Sequence, residues 1–252
     1  MRRRALQRPR AHDGRPVSST WRVALVGGLL GLLAVAGVVT LAMSGVLGTG
    51  AQRAQASADA PVLVALVLPD AAGANLPRVI DLYTRANGKL TLTSVDPEHA
   101  ATVPGTSGKT LADAYTYGGG AALAKAYAQL NHTDEPAWVV IGQDAWGALR
   151  GGAPVTIDIP APMEVFDGRQ LYSYSKGTTD VPVAQVRHVL DGADFLSRDL
   201  RRSVRAQLGD GLATSLARTK TAHGVELRTN LSDEDLTAWL AILGPAVRTQ
   251  GE

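Results

Sequence analysis

Arg198, Arg201, Arg202 and Arg205 form the densest group of chemically useful side chains outside the chain's first residues. On a helix, Arg198, Arg202 and Arg205 share one face, which suits a polyanionic group. Leu196, Leu200, Val204, Leu208 and Leu212 recur every fourth residue on roughly the opposite face, and that pattern equally fits three solvated arginines. Asp70 follows a short apolar run, where open α/β sheets hold ligands; a lone carboxylate there is either a metal ligand or an ordinary loop residue. Gly118-Gly119-Gly120 either cradles an anion at the start of the next helix or bends the chain for tight packing. His12, His99, His132, His188 and His223 show no ligand spacing and read as surface residues. There is no G-x-S-x-G, no P-loop and no H-E-x-x-H. The chain has no cysteine, which excludes disulfides, thiolate catalysis and zinc–thiolate sites.

These residues must be positioned by elements that the apolar pattern reveals. Val62 to Leu68 is an unbroken valine-rich run, the signature of a strand buried on both faces. Val79 to Thr84 and Leu90 to Val95 flank Asn87-Gly88, which predicts a hairpin turn with positive φ. Val103 to Lys109 is a turn-rich loop. Ala112 to Leu130 is helical in composition but interrupted at the glycine triplet. Trp138 to Ile141 and Val155 to Ile159 read as short strands, with a helix at Ala145 to Leu149 between them. The four-residue apolar repeat predicts an amphipathic helix carrying the arginines. Val225 to Leu227 reads as a strand, and Ser232 to Leu243 as a closing helix with Ser232 as N-cap and acids in its first turn. Strands alternate with helices, so the expected architecture is a three-layer α/β/α domain with a mixed central sheet.

The charge distribution sets topology. The formal net charge is +2, but Arg2, Arg3, Arg4, Arg8, Arg10 and Arg15 crowd the first residues, leaving the remainder slightly acidic. Nucleic acid is therefore not an expected partner, because phosphate binding needs cations on the folded surface. Few lysines beside abundant Ala, Gly, Val and Arg give an actinobacterial-like composition, which says nothing about chemistry. No residue from Val23 to Leu47 is charged; at about 1.5 Å per residue this helix spans roughly 37 Å, enough to cross a bilayer core of about 30 Å. The upstream arginines mark the cytoplasmic side. The expected organisation is a basic cytoplasmic tail (1–22), a transmembrane helix (23–47), a linker (48–60), an extracytoplasmic domain (61–245) and a short tail (246–252). The alternative is cleavage near Ala54-Gln55-Ala56-Ser57-Ala58, which resembles a signal-peptidase site.

The order of segments resembles that of LytR-CpsA-Psr domains. Ala114-Tyr115-Thr116-Tyr117-Gly118-Gly119 is similar to the family's A-Y-A-Y-G-G. Val64 to Asp70 sits where the family has N-I-L-L-L-G-S-D, and Lys89 to Val95 where a strand leads into S-I-P-R-D. Gly151-Gly152 resembles its L-G-G-V, Asp194-Phe195 with Arg198 and Arg202 its D-F-x-R-x-x-R-Q, and Thr229 to Leu236 its T-N-L-S helix.

The resemblance implies a membrane-anchored envelope protein similar to phosphotransferases that move glycopolymers from a polyprenyl-pyrophosphate carrier to peptidoglycan. It implies pyrophosphate binding by Arg187, Arg198, Arg202 and Arg78, and a magnesium ion on Asp70 and Asp81; alternatively, Asp81 simply lies within its strand. Its partners would be the membrane and a polyprenyl-linked glycopolymer or peptidoglycan. The chain departs from the pattern at two arginines. Pro97 falls at or near the arginine of S-I-P-R-D, and Val189 replaces the second arginine of Y-V-R-S-R, whose first is Arg187. One lost transition-state donor typically costs about 10²–10³ in rate. The departures therefore imply, as the alternative, an impaired member that binds or regulates. A transcription factor conflicts with an outside domain behind so short a tail.

Overall fold

The computed structural model describes residues 60–70, 73–87, 89–219 and 227–249, with side chains as far as Leu243. The predicted tail, membrane helix and nearly all of the linker lie outside these residues. No helix among the described residues is long and apolar enough to cross a membrane.

The apolar run forms strand β1, Val62–Pro69, and its burial explains the absence of alternation. Val62, Val64, Leu66 and Leu68 enter one core, while Leu63, Ala65 and Val67 enter the other. β2 (Asn75–Ala86) and β3 (Lys89–Val95) form the predicted hairpin, with Ala86 opposite Lys89 and Asn87 at φ 53°. β4 (Ala137–Gly142) runs parallel to β1, as the crossover between them requires. The short strand β9 (Leu227–Thr229) pairs antiparallel with β4, so the central sheet has the order β3-β2-β1-β4-β9. The sheet is mixed and covered on both faces, as expected.

Helix α1 (Leu111–Asn131) covers the face that carries Leu63 and Ala65. Thr110 caps it reciprocally with Asp113, satisfying donors that the first turn leaves orphaned. The glycine triplet is a kink. Gly118 and Gly119 leave helical geometry, and Gly119 sits at φ 64°. Gly120 then lies against Trp138 of β4, where a Cβ would come within 2.2 Å of the indole ring. The packing alternative is the one realised. Gly120→Ala is expected to cost about 1–3 kcal/mol by forcing helix and strand apart; equilibrium urea unfolding measures this, and an unchanged midpoint would refute the close approach.

The other face is covered by α4 (Arg198–Ala217) and α5 (Asp233–Thr249), with Val204, Leu208, Leu212, Trp239 and Leu243 in the core. Ser232 caps α5 as predicted. The four-residue repeat starts too early, however: Ser197 caps α4, leaving Leu196 outside it, and Leu200 is exposed.

Two antiparallel ribbons lie outside the central sheet: β5 (Val155–Ile159) with β8 (Gly177–Val181), and β6 (Met163–Phe166) with β7 (Leu171–Tyr174). The Val155 to Ile159 strand was expected; β6, β7 and β8, which lack long apolar runs, were not. Two short helices complete the chain, α2 (Gln143–Leu149) and α3 (Val186–Ala193). The strand expected at Val225 to Leu227 falls at Leu227–Thr229, with Val225 outside the described residues.

Candidate functional site

The arginines of α4 meet a ring of carboxylates. Arg205, whose side chain is 6% exposed, donates from Nη1 to Asp96 Oδ1 (3.2 Å) and from Nη2 to Glu98 Oε1 (2.7 Å) and Asp194 Oδ1 (3.2 Å). Arg198 lies 3.5 Å from Asp96, Arg202 4.0 Å from the same carboxylate, and Arg201 3.5 Å from Glu98. The solvated-face alternative fails for Arg205. It holds best for Arg198, whose side chain is 62% exposed.

Arg78 joins this network through a β-bulge. The β1–β2 register passes from Leu66 opposite Val79 to Val67 opposite Pro77, so Arg78 is the extra residue of β2. A bulge re-aims the side chain it carries. Arg78 donates from Nη1 to Asp191 Oδ1 and from Nη2 to Asp194 Oδ2, both at 2.8 Å. Asp194, at the end of α3, thus bridges two buried guanidinium groups. Arg187 lies one helical turn before Asp191 on α3, where i and i+4 share a face. It stands 3.9 Å from Asp167, in the turn between β6 and β7. Arg78, Arg198 and Arg202 therefore belong to one ion network, and Arg187 lies one helical turn from Asp191 in it.

The same elements correct the reading of His188. It is buried, not superficial, and stacks on Tyr172 with ring centroids 3.9 Å apart. Burial and the neighbouring Arg187 hold its pKa below the usual value, against the opposing pull of Asp167 and Asp191.

The two predicted metal carboxylates do not converge. Asp81 sits opposite Val64 within β1, and Asp70 lies just beyond the far end of that strand, six positions after Val64 and roughly 20 Å away. Magnesium takes its oxygens at about 2.1 Å, so one ion cannot touch both. Asp81 lies within its strand, the alternative reading of the sequence. Asp70 Oδ1 accepts from the Ala74 N–H at 2.8 Å, in a turn. Among the described residues no three acids or histidines are grouped to hold a metal ion. The donor set does not fit magnesium.

Asp81 has a different chemistry. Its carboxyl points into the core beneath α4, where Gly209 leaves room: a Cβ there would fall 2.4 Å from Oδ2. Oδ2 and the nearby Tyr83 hydroxyl are buried and have no partner. Burial, and secondarily Asp210, push the Asp81 pKa up to about 7, against a lowering contribution from the Ser94 hydroxyl. Asp96 behaves oppositely: burial raises it, but the Glu98 N–H and Arg205 outweigh that and keep it ionised below the usual range.

Sequence reasoning placed Arg205 on the correct face and missed its partners. Asp96 and Glu98 were visible as the residues flanking Pro97, and their position at the end of β3 was the available signal.

Comparison with solved structures gives the fold. B. subtilis TagV superposes with a TM-score of 0.52 at 13% identity, covering 74% of this chain and 80% of that one. TagT bound to LIIa-WTA gives 0.51 at 16%, covering 74% and 76%. A structure described as a transcriptional regulator from Enterococcus faecalis gives 0.56 at 16%, covering 77% and 76%. No family model and no curated sequence matches the chain. The domain has the LytR-CpsA-Psr fold, as the motifs implied.

Proposed function

We propose that this chain is an envelope module of the LytR-CpsA-Psr fold that binds a polyprenyl-linked anionic glycopolymer without transferring it. In this reading the apolar segment 23–47 anchors it, and the domain lies outside the cell. The observation that carries the reading is the neutralisation of the arginines. Phosphoryl transfer needs cations uncommitted and already in place where charge develops. Here Asp96, Glu98, Asp191 and Asp194 engage Arg78 and Arg205 directly, and Asp96 also faces Arg198 and Arg202. Acids on Arg205, together with Pro97 and Val189 at family arginine positions, leave little uncompensated positive charge for a pyrophosphate. Arg198 and Arg202, both more than half exposed, remain as surface cations for a weaker anion contact. TagT, which shares the fold, is a protein seen with LIIa-WTA bound, and this supports the kind of ligand.

The test uses the full chain in detergent with a polyprenyl-pyrophosphate-linked glycan and magnesium. Binding without phosphate-bond cleavage is expected, weakened by joint Arg198→Ala and Arg202→Ala substitution. Cleavage abolished by Arg187→Ala would overturn the proposal in favour of an active transferase; no binding at all would leave the fold alone.

A further inference from the structure

A cleft lies on the face of the sheet opposite α4 and its arginines, beside α1, at the carboxyl ends of the parallel pair β1 and β4. It has a volume of about 540 Å³, and its apolar floor includes Val67 and Val140. This is the place where open α/β sheets hold small ligands, and the volume suits one. Its walls carry Arg228 from β9, Asp144 and Gln143 from α2, Asn75 from β2 and Tyr115 from α1.

The charges here are treated differently from those around Arg205. There, every arginine has a carboxylate partner within the chain. Among the described residues, neither Arg228 nor Asp144 makes an ion pair or a side-chain hydrogen bond, with each other or with anything else. A guanidinium and a carboxylate, both on exposed residues, thus line one cleft with no partner within the described chain. Arg228 offers donors shaped for a carboxylate, while Asp144 offers acceptors for an ammonium group. Asn75 and Tyr115 add neutral hydrogen-bonding groups.

We infer that this cleft binds a small zwitterion of the amino-acid class, with its carboxylate on Arg228 and its ammonium on Asp144. The proposal stands apart from the glycopolymer reading, since it uses none of the arginines of α4.

Titration calorimetry on the full chain in detergent tests it, using alanine, dialanine, propionate, propylamine and chitobiose as separate probes. Alanine or dialanine is expected to bind with a Kd below about 1 mM, and the stronger of the two identifies a free amino acid or a dipeptide as the natural size. Propionate and propylamine, each with one charge, should bind at least about tenfold more weakly. Arg228→Gln and Asp144→Asn should each weaken the zwitterion by about tenfold or more without lowering the melting temperature. No binding of either zwitterion overturns the inference, as does binding that survives both substitutions. Chitobiose binding with the same residue dependence would also overturn it, making the cleft a sugar site.

Discussion

Arg205→Ala is expected to destabilise the domain by about 3–5 kcal/mol, the usual effect of breaking a buried ion pair by removing one partner. The argument rests on what would be left behind. Asp96, with its side chain 13% exposed, would lose its closest cation, and Asp194 would retain Arg78 alone. Glu98 would lose the shortest contact in the network, at 2.7 Å. The carboxylates would then repel one another in a partly desolvated space. Arg198→Ala is the matched control. Its guanidinium is largely in water and meets Asp96 at 3.5 Å, so the loss should stay within about 1 kcal/mol. Urea unfolding at neutral pH reads both, provided the slope is unchanged. Equal effects from the two substitutions would show that burial of Arg205 is not what matters.

The second large effect is a pH dependence centred on Asp81. Its pKa rises from 3.8 in the unfolded chain to about 7 in the folded one, so the folded state binds this proton more tightly. The stabilisation is therefore complete below about pH 4, fades as pH climbs toward 7, and is absent above that. The shift corresponds to on the order of 4 kcal/mol. Asp81→Asn keeps the shape and removes the ionisation. It should leave stability below about pH 4 nearly unchanged, raise it clearly at pH 8, and flatten the slope between. Asp96 works in the opposite sense and in another window, since its depressed pKa withdraws stability only as pH falls below the ordinary carboxylate range. A variant whose stability curve runs parallel to that of the original chain from pH 5 to 8 would remove Asp81 as the source.

Both effects come from contacts between distant parts of the chain, and the legibility of the sequence divides along the same line. β1 was visible because a strand buried on both faces must be apolar at every position, and the β2–β3 hairpin because Asn87 accepts positive φ. The cap at Ser232 and the kink at Gly118-Gly119 were equally local. The ribbons β5–β8 and β6–β7 escaped in part because their short strands are half-exposed and their pairing depends on neighbours.

The amino-acid order alone indicated the layered α/β/α architecture, through the alternation of strands and helices, and placed Arg198, Arg202 and Arg205 on one helical face, through periodicity within a single element. Only the tertiary structure decided what those arginines meet. Asp96 lies 109 positions from Arg205, and Asp191 lies 113 from Arg78. No local pattern encodes whether a cation faces water, a ligand or a carboxylate brought in by a different layer; that is fixed by how the layers close.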